Sequence, residues 1–362
     1  MSTIDENAYE HWLKVVYDRI SVNFSRAEPR RRAWTYLADL PNAHASGLRG
    51  GDGLANYSGE QRADGVQRLL TSAQWNESVV RDELRGIAAH YGGGTGGVLH
   101  LTEVSFPKKG RNAVGVERQY SPESMRSENC QIGLLLFHVT KRGRAFLIDR
   151  ELYVPKSWTD DTDRRAQAGI PDELAYRSKS AIGGVMIRRA FEAGILPDCV
   201  VSSLVCSDQP SLRRWLRHLH VPHVVATTAG EARQAASRTP LLAKQESCAY
   251  KRGVLRRVKL VGEMAGGFEK SYLTASPTVH GSGPQPYFAS FLRQRTPLAE
   301  IAAILSLTQP AAAYGRRAKE EIGLGHYEVR SWRGWYRHVT LAMAAHTALE
   351  LAREPNPVRQ IA

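Results

Sequence analysis

The chain has 362 residues, of which 42% are hydrophobic, and carries a formal net charge of +13, with an isoelectric point near 9.7. That length suits one large domain with a smaller one beside it, and the basic balance points to a polyanionic partner such as nucleic acid. No run of about 18 apolar residues is present, so no membrane span is expected. The opening MSTIDENAYE is acidic and lacks the apolar stretch of a signal peptide. Cys130, Cys199, Cys206 and Cys248 form no C-x-x-C pair, which argues against a zinc ribbon and for reduced thiols in the cytoplasm.

Charge is unevenly placed. Residues 1–95 hold 11 of the 49 basic and 12 of the 36 acidic residues, which leaves 38 basic and 24 acidic residues after position 95. The whole positive excess, and with it the expected anion-facing surface, lies in the C-terminal part.

In chain order, residues 8–40 repeat apolar side chains at helical spacing (Trp12, Val15, Val16 and Ile20, then Trp34, Leu37 and Leu40). A Gly, Asn and Ser-rich loop over 41–60 is followed by a second helical stretch over 60–90, so a helical N-terminal domain over 1–91 is expected. Gly92 to Gly97 is rich in glycine but lacks the Lys-Ser/Thr of a phosphate loop and leads into a strand. A flexible joint is the better reading. Strands are expected at Val98–Leu101, Ala113–Tyr120, Gln131–Thr140 and Arg144–Tyr153, with a hairpin turn at Lys141-Arg142-Gly143. A helix over 178–194, a strand over Cys199–Val205, a helix over Pro210–Leu219 and a strand over His223–Thr227 follow. This mixture implies an α/β domain over 96–350. Residues 228–250 read as a polar insertion, 254–275 as further strand, and 297–322 and 329–353 as helices.

A series of motifs runs through this framework. Phe106-Pro107-Lys108-Lys109-Gly110 is followed by Arg118-Gln119-Tyr120-Ser121, by Glu128-Asn129-Cys130-Gln131-Ile132-Gly133 and by Asp149 to Trp158 (DRELYVPKSW). Tyr327 to His338 reads YEVRSWRGWYRH. In this order the motifs resemble those of insertion-sequence transposases with a DDE endonuclease domain, over about residues 30 to 350. The resemblance implies an RNase-H-like mixed sheet flanked by helices. It also implies a site in which three carboxylates hold two metal ions for phosphoryl transfer, oxygen ligands suiting such hard cations.

The sequence departs from that pattern at the acids. The family's first Asp lies in a strand reading I-D-E-T-G before F-x-K-K-G, where this chain has Leu101-Thr102-Glu103-Val104-Ser105. The second lies before P-x-L-R-R-W-L; Pro210 to Leu216 sets the register and puts Ser203 at that position. The third, a Glu seven residues ahead of a helical Lys, becomes Ala312 before Lys319, and the Arg four residues earlier becomes Thr308. Glu103 cannot substitute for Thr102, because neighbouring residues of a strand face opposite ways. No metal site and no cofactor are expected.

Two functions follow as expectations. The first is a domesticated, catalytically inactive transposase-like protein that binds DNA, as a regulator. Its phosphate-contacting candidates are Lys108, Lys109, Arg111, Arg213, Arg214, Arg217 and Lys319. Trp332, Trp335 and Tyr336 offer rings that could stack on bases, but helical spacing places them in the core. The second is an enzyme of small-molecule metabolism that reuses the emptied pocket. There His100, Thr102 and Ser203 share a face, with Cys206 and Asp208 close in sequence.

Overall fold

The computed structural model describes residues 6–45, 64–204, 209–238, 245–250, 253–265, 267–277, 287–308 and 313–353. Among the described residues four helices come first: α1 (Glu6–Ser21), α2 (Ala27–Ala45), α3 (Asp64–Thr71) and α4 (Glu77–Gly92). Asn76 starts α4 by accepting hydrogen bonds from the Ser78 and Val79 amides, as an N-cap residue does. Four strands follow, β1 (Val98–Pro107), β2 (Glu117–Ser121), β3 (Arg126–Val139) and β4 (Ala145–Tyr153), and then the short helices α5 (Lys156–Thr159) and α6 (Thr162–Ala168). Next come α7 (Lys179–Glu192), β5 (Cys199–Ser202), α8 (Gln209–His218), β6 (His223–Thr227) and α9 (Ala229–Arg238). An antiparallel meander is built from β7 (Gln245–Tyr250), β8 (Gly253–Ala265), β9 (Phe268–Pro277) and β10 (Tyr287–Arg293). The last helices among the described residues are α10 (Leu298–Thr308), α11 (Ala313–Ile322) and α12 (Trp332–Ala352).

All the described strands join one mixed sheet in the order β2-β3-β1-β5-β6-β10-β9-β8-β7, with β4 also on β3. The pairs β1–β5 and β5–β6 are parallel and the others antiparallel. This is the RNase-H-like arrangement that the motifs imply, an antiparallel β1–β3–β4 unit continued by two parallel strands. The meander extends it from β6.

Helices cover both faces. On β1, Leu101 and Glu103 face α7: a Cβ on Gly183 would run into the Leu101 side chain, and Lys179 pairs with Glu103. His100, Thr102, Val104 and Phe106 point the other way. Tyr314 of α11 meets the His100 ring edge-on, a Cβ on Gly315 would run into Val104, and Trp335 of α12 meets Phe106. Gly183 and Gly315 therefore let α7 and α11 close onto β1 where any side chain would hold them off.

Helix α12 is buried at every residue from Gly334 to Leu351. It packs against β4 on one side and against α1, α2 and α4 on the other, which explains a helix apolar nearly all round. Trp335 and Tyr336 are core residues, as their spacing implies.

Several sequence expectations change in detail. Residues 8–40 form two helices, and residues 297–322 are two as well. Strand β2 begins at Glu117, because Ala113–Val116 is a buried turn with Gly115 at φ +73° and the Val114 amide on the Arg330 carbonyl. The Gly92–Gly97 joint is pinned: Thr95 bridges Leu196, and the Gly97 amide donates to the Asp198 carboxylate. The polar stretch 228–250 carries α9 and β7, the latter paired with β8.

Candidate functional site

The register of the parallel β1–β5 pair sets Leu101 opposite Ser202, so Ser203, the next residue along, stands beside Thr102. The Ser203 amide donates to the Leu101 carbonyl at 3.0 Å. His100 lies two residues earlier on the same face of β1. Its Nε2 is 3.2 Å from Ser203 Oγ, and its Nδ1 is buried without a hydrogen-bond partner among the described residues. His100 and Thr102 are buried and Ser203 is half-buried. Burial pulls the imidazole down to about 3, so it is neutral at physiological pH. The arrangement thus consists of two hydroxyls and an uncharged ring.

Ala312, Cys206 and Asp208 lie outside the described residues, so the geometry concerns His100, Thr102 and Ser203. Thr308, at the end of α10, is buried and donates back to its own helix. Two divalent cations in such a fold would need several carboxylate oxygens to balance their charge. The residues here do not fit them. The hydroxyls are neutral and that of Ser203 is already engaged by His100. Among the described residues no group of three His, Cys, Asp or Glu side chains could hold a metal ion. Glu103, the nearest acid on β1, faces α7 and is held by Lys179.

The motifs that carry the family resemblance surround this site as a frame. Asp149 is fully buried and accepts from Arg85 Nη2 and Arg189 Nε, each at 3.0 Å. Glu151 accepts from Arg189 at 2.5 Å and from the Tyr336 hydroxyl at 2.6 Å. Arg150 reaches Thr340 and the Glu77 carbonyl. The DRELY segment therefore ties β4 to α4, α7 and α12 through buried charges that would be costly if left alone. In YEVRSWRGWYRH, Ser331 caps α12, Arg337 donates to the Ala73 and Trp75 carbonyls, and His338 bridges the Tyr36 hydroxyl and the Leu324 carbonyl. Gln131 and Asn129 tie β3 to Val114, Tyr327 and the Lys108 carbonyl. Sequence reasoning missed the Asp149–Arg85–Arg189–Glu151 cluster; the only signal for it was acids flanking Arg150 in an otherwise apolar strand.

The basic candidates divide into two groups. Lys109, Arg111 and Arg214 are exposed and have no ion pair among the described residues. Arg217 is half-buried. Arg213 is buried and pairs with Glu231, which also accepts from Thr227. Lys319 donates to the Glu123 carboxylate at 2.7 Å and to the Ser105 carbonyl. Lys108 Nζ sits 3.7 Å above the Tyr327 ring.

A cleft of about 60 Å³ lies on the α7 side of the sheet, lined by Glu151, Leu174, Arg177, Ile182, Arg189 and Trp332. It is separate from His100 and Ser203, which face α11. No described helix is long and apolar enough to cross a membrane.

A family model described as a DDE superfamily endonuclease matches residues 22–261, which include β1, β5 and both hydroxyl positions. No curated protein matches the chain. With well over half of the sequence matched and an RNase-H-like sheet beneath it, the chain belongs to the DDE superfamily endonucleases.

Proposed function

We infer that this protein is a catalytically inactive member of its family that grips DNA through phosphate contacts and serves as a regulator. The observation that carries the reading is the His100–Ser203 hydrogen bond. It closes off, with neutral partners, the position at which two-metal phosphoryl transfer requires anionic oxygen ligands. The positive excess after residue 95 and the exposed Lys109, Arg111 and Arg214, which have no ion pair among the described residues, support an electrostatic grip on a duplex. The test is a supercoiled-plasmid assay with Mg²⁺ and then Mn²⁺. The reading expects no nicked or linear product. Metal-dependent cleavage by the unaltered protein would overturn it, whether or not it survives Thr102→Ala and Ser203→Ala.

The same hydrogen bond favours a second reading, in which Ser203 is a nucleophile with His100 as base. Two features set it behind the first. A ring buried this deeply is a poor proton acceptor, and among the described residues no carboxylate orients its Nδ1. A fluorophosphonate probe discriminates: covalent labelling of Ser203, lost in His100→Asn, would favour the enzyme.

A further inference from the structure

Four aromatic rings, from β6, β10, β9 and the turn after α8, form a ladder that runs from the core to the surface. The antiparallel registers set Phe291 opposite His223 and Phe268 opposite Arg293. Residues directly opposite one another share a sheet face, as do residues two apart on one strand. His223, Phe291, Phe268 and Arg293 therefore lie on one face at one end of the sheet. The His223 and Phe291 rings stack with centroids 5.6 Å apart, and Phe291 and Phe268 lie nearly parallel at 4.8 Å. The His220 ring leans over Phe268 at 5.9 Å. Exposure rises along the series: His223 and Phe291 are buried, Phe268 is half-buried and His220 is exposed.

Core packing accounts for the inner rungs but not for the outer ones. His220 sits in the turn after α8 at φ +53°, with its amide on the Arg217 carbonyl at 2.9 Å. Among residues other than glycine, that conformation favours Asn, Asp and His. Here it carries an imidazole out to the Phe268 ring. The His220 ring makes no hydrogen bond among the described residues, so ring contact is its role.

Cations flank the outer rungs. Arg293 shares the face of Phe268 and is exposed. Arg295, also exposed, follows directly after Gln294, whose amide donates to the Gly267 carbonyl at 2.8 Å and so ties the end of β10 to the start of β9. Arg217 is half-buried and lies close enough to His223 for its charge to disfavour protonation of that ring. None of these three arginines has an ion pair among the described residues.

We propose that the outer end of this ladder is a stacking shelf for an unpaired base of single-stranded DNA, with Arg217, Arg293 and Arg295 taking the neighbouring phosphates. The proposal rests on the DNA-binding reading above and adds a single-strand site apart from Lys109 and Arg111. Every base has a flat π face, so stacking on such a shelf tolerates any sequence, and the arginines match the charge of the strand. A duplex keeps its bases stacked on one another and offers the ladder only its backbone. An apolar side chain of a protein partner would cover the rings but leave the three cations unmatched.

The test is fluorescence anisotropy on the intact protein with three labelled probes: a thymine strand of about twelve nucleotides, an abasic strand of the same length and charge, and a duplex. The unaltered protein should bind the thymine strand roughly tenfold more tightly than the abasic one, the order that one stacked base supplies. His220→Asn keeps a residue suited to positive φ and removes the outermost ring. Phe268→Leu keeps apolar volume and removes the flat face beneath it. Each should lose most of the preference for the thymine strand and leave duplex affinity unchanged. Equal affinity of the unaltered protein for the two single strands, or a preference that survives both variants, would overturn the proposal while duplex binding stands. Loss of binding to all three probes would overturn the DNA-binding reading with it.

Discussion

His100 Nε2 lies 3.2 Å from Ser203 Oγ across the parallel β1–β5 pair, at the point where relatives with an acidic triad would place charge. A neutral ring and a hydroxyl satisfy each other there, and the surrounding frame of buried ion pairs remains intact. Among the described residues the site thus pairs neutral groups inside a frame of buried ion pairs, and this contrast shapes each expectation below.

Protonation of the buried histidines sets the acid limit of stability. Burial pulls His100, His338 and His346 down to about 3, and His223 to about 4. The unfolded chain binds these protons near pH 6.5. The stabilisation is therefore complete above about pH 6.5 and is lost as pH falls towards the folded values. Unfolding at pH 5, followed by calorimetry in buffers of different ionisation enthalpy, should take up protons. His100→Asn, which retains a hydrogen-bonding side chain towards Ser203, should take up roughly one fewer. An unchanged uptake would place His100 in a solvated setting.

Adjacent glycines on α7 should respond in opposite directions. A Cβ on Gly183 would run into Leu101 of β1, whereas one on Gly184 meets only the Trp215 ring, at 3.9 Å. Gly183→Ala should cost about 1–3 kcal/mol through overpacking. Gly184→Ala should stabilise by about 0.5–1 kcal/mol, the usual gain of alanine over glycine in a helix. Urea denaturation of the two variants tests this, and two changes of the same sign would contradict the close approach of α7 to β1.

The three arginines of α8 should not behave as a set. Arg213 is buried against Glu231, while Arg214 is exposed. Arg213→Glu sets two carboxylates together and should destabilise by about 3 kcal/mol or more. Arg214→Glu should leave the melting temperature within about a degree, because a lone surface charge is worth little, and should weaken duplex binding. Thermal melts of the single variants decide it. A large loss in Arg214→Glu would mean that its side chain is committed inside the fold.

Much of this architecture was legible in the sequence. β3, β4 and β6 lie within a few residues of the expected runs, because long apolar strands of a covered sheet announce themselves. The positions of Thr102 and Ser203 followed from motif spacing, and the β1–β5 register brings them side by side. Partnerships were the part that could not be read. Arg213 and Lys319 look like members of solvated basic clusters, yet their acids, Glu231 and Glu123, lie 18 and 196 residues away. The DRELY cluster was likewise hidden, because its arginines come from α4 and α7. The helical character of 229–238 was masked by composition: its Ala, Arg and Gln residues carry no apolar stripe, and packing of Ala232 and Glu231 against β6 and its neighbours supplies what periodicity does not.

The central claim is that an uncut duplex is what this protein holds. The most direct measurement is a fluorescence anisotropy titration of a labelled duplex in EDTA, repeated from 50 to 300 mM salt. With about six phosphates neutralised, log K should fall against log salt with a slope near −5, and Lys109→Glu with Arg111→Glu should flatten that slope by roughly two. Absence of saturable binding at micromolar protein and 50 mM salt, or binding whose strength is indifferent to salt, would contradict the account.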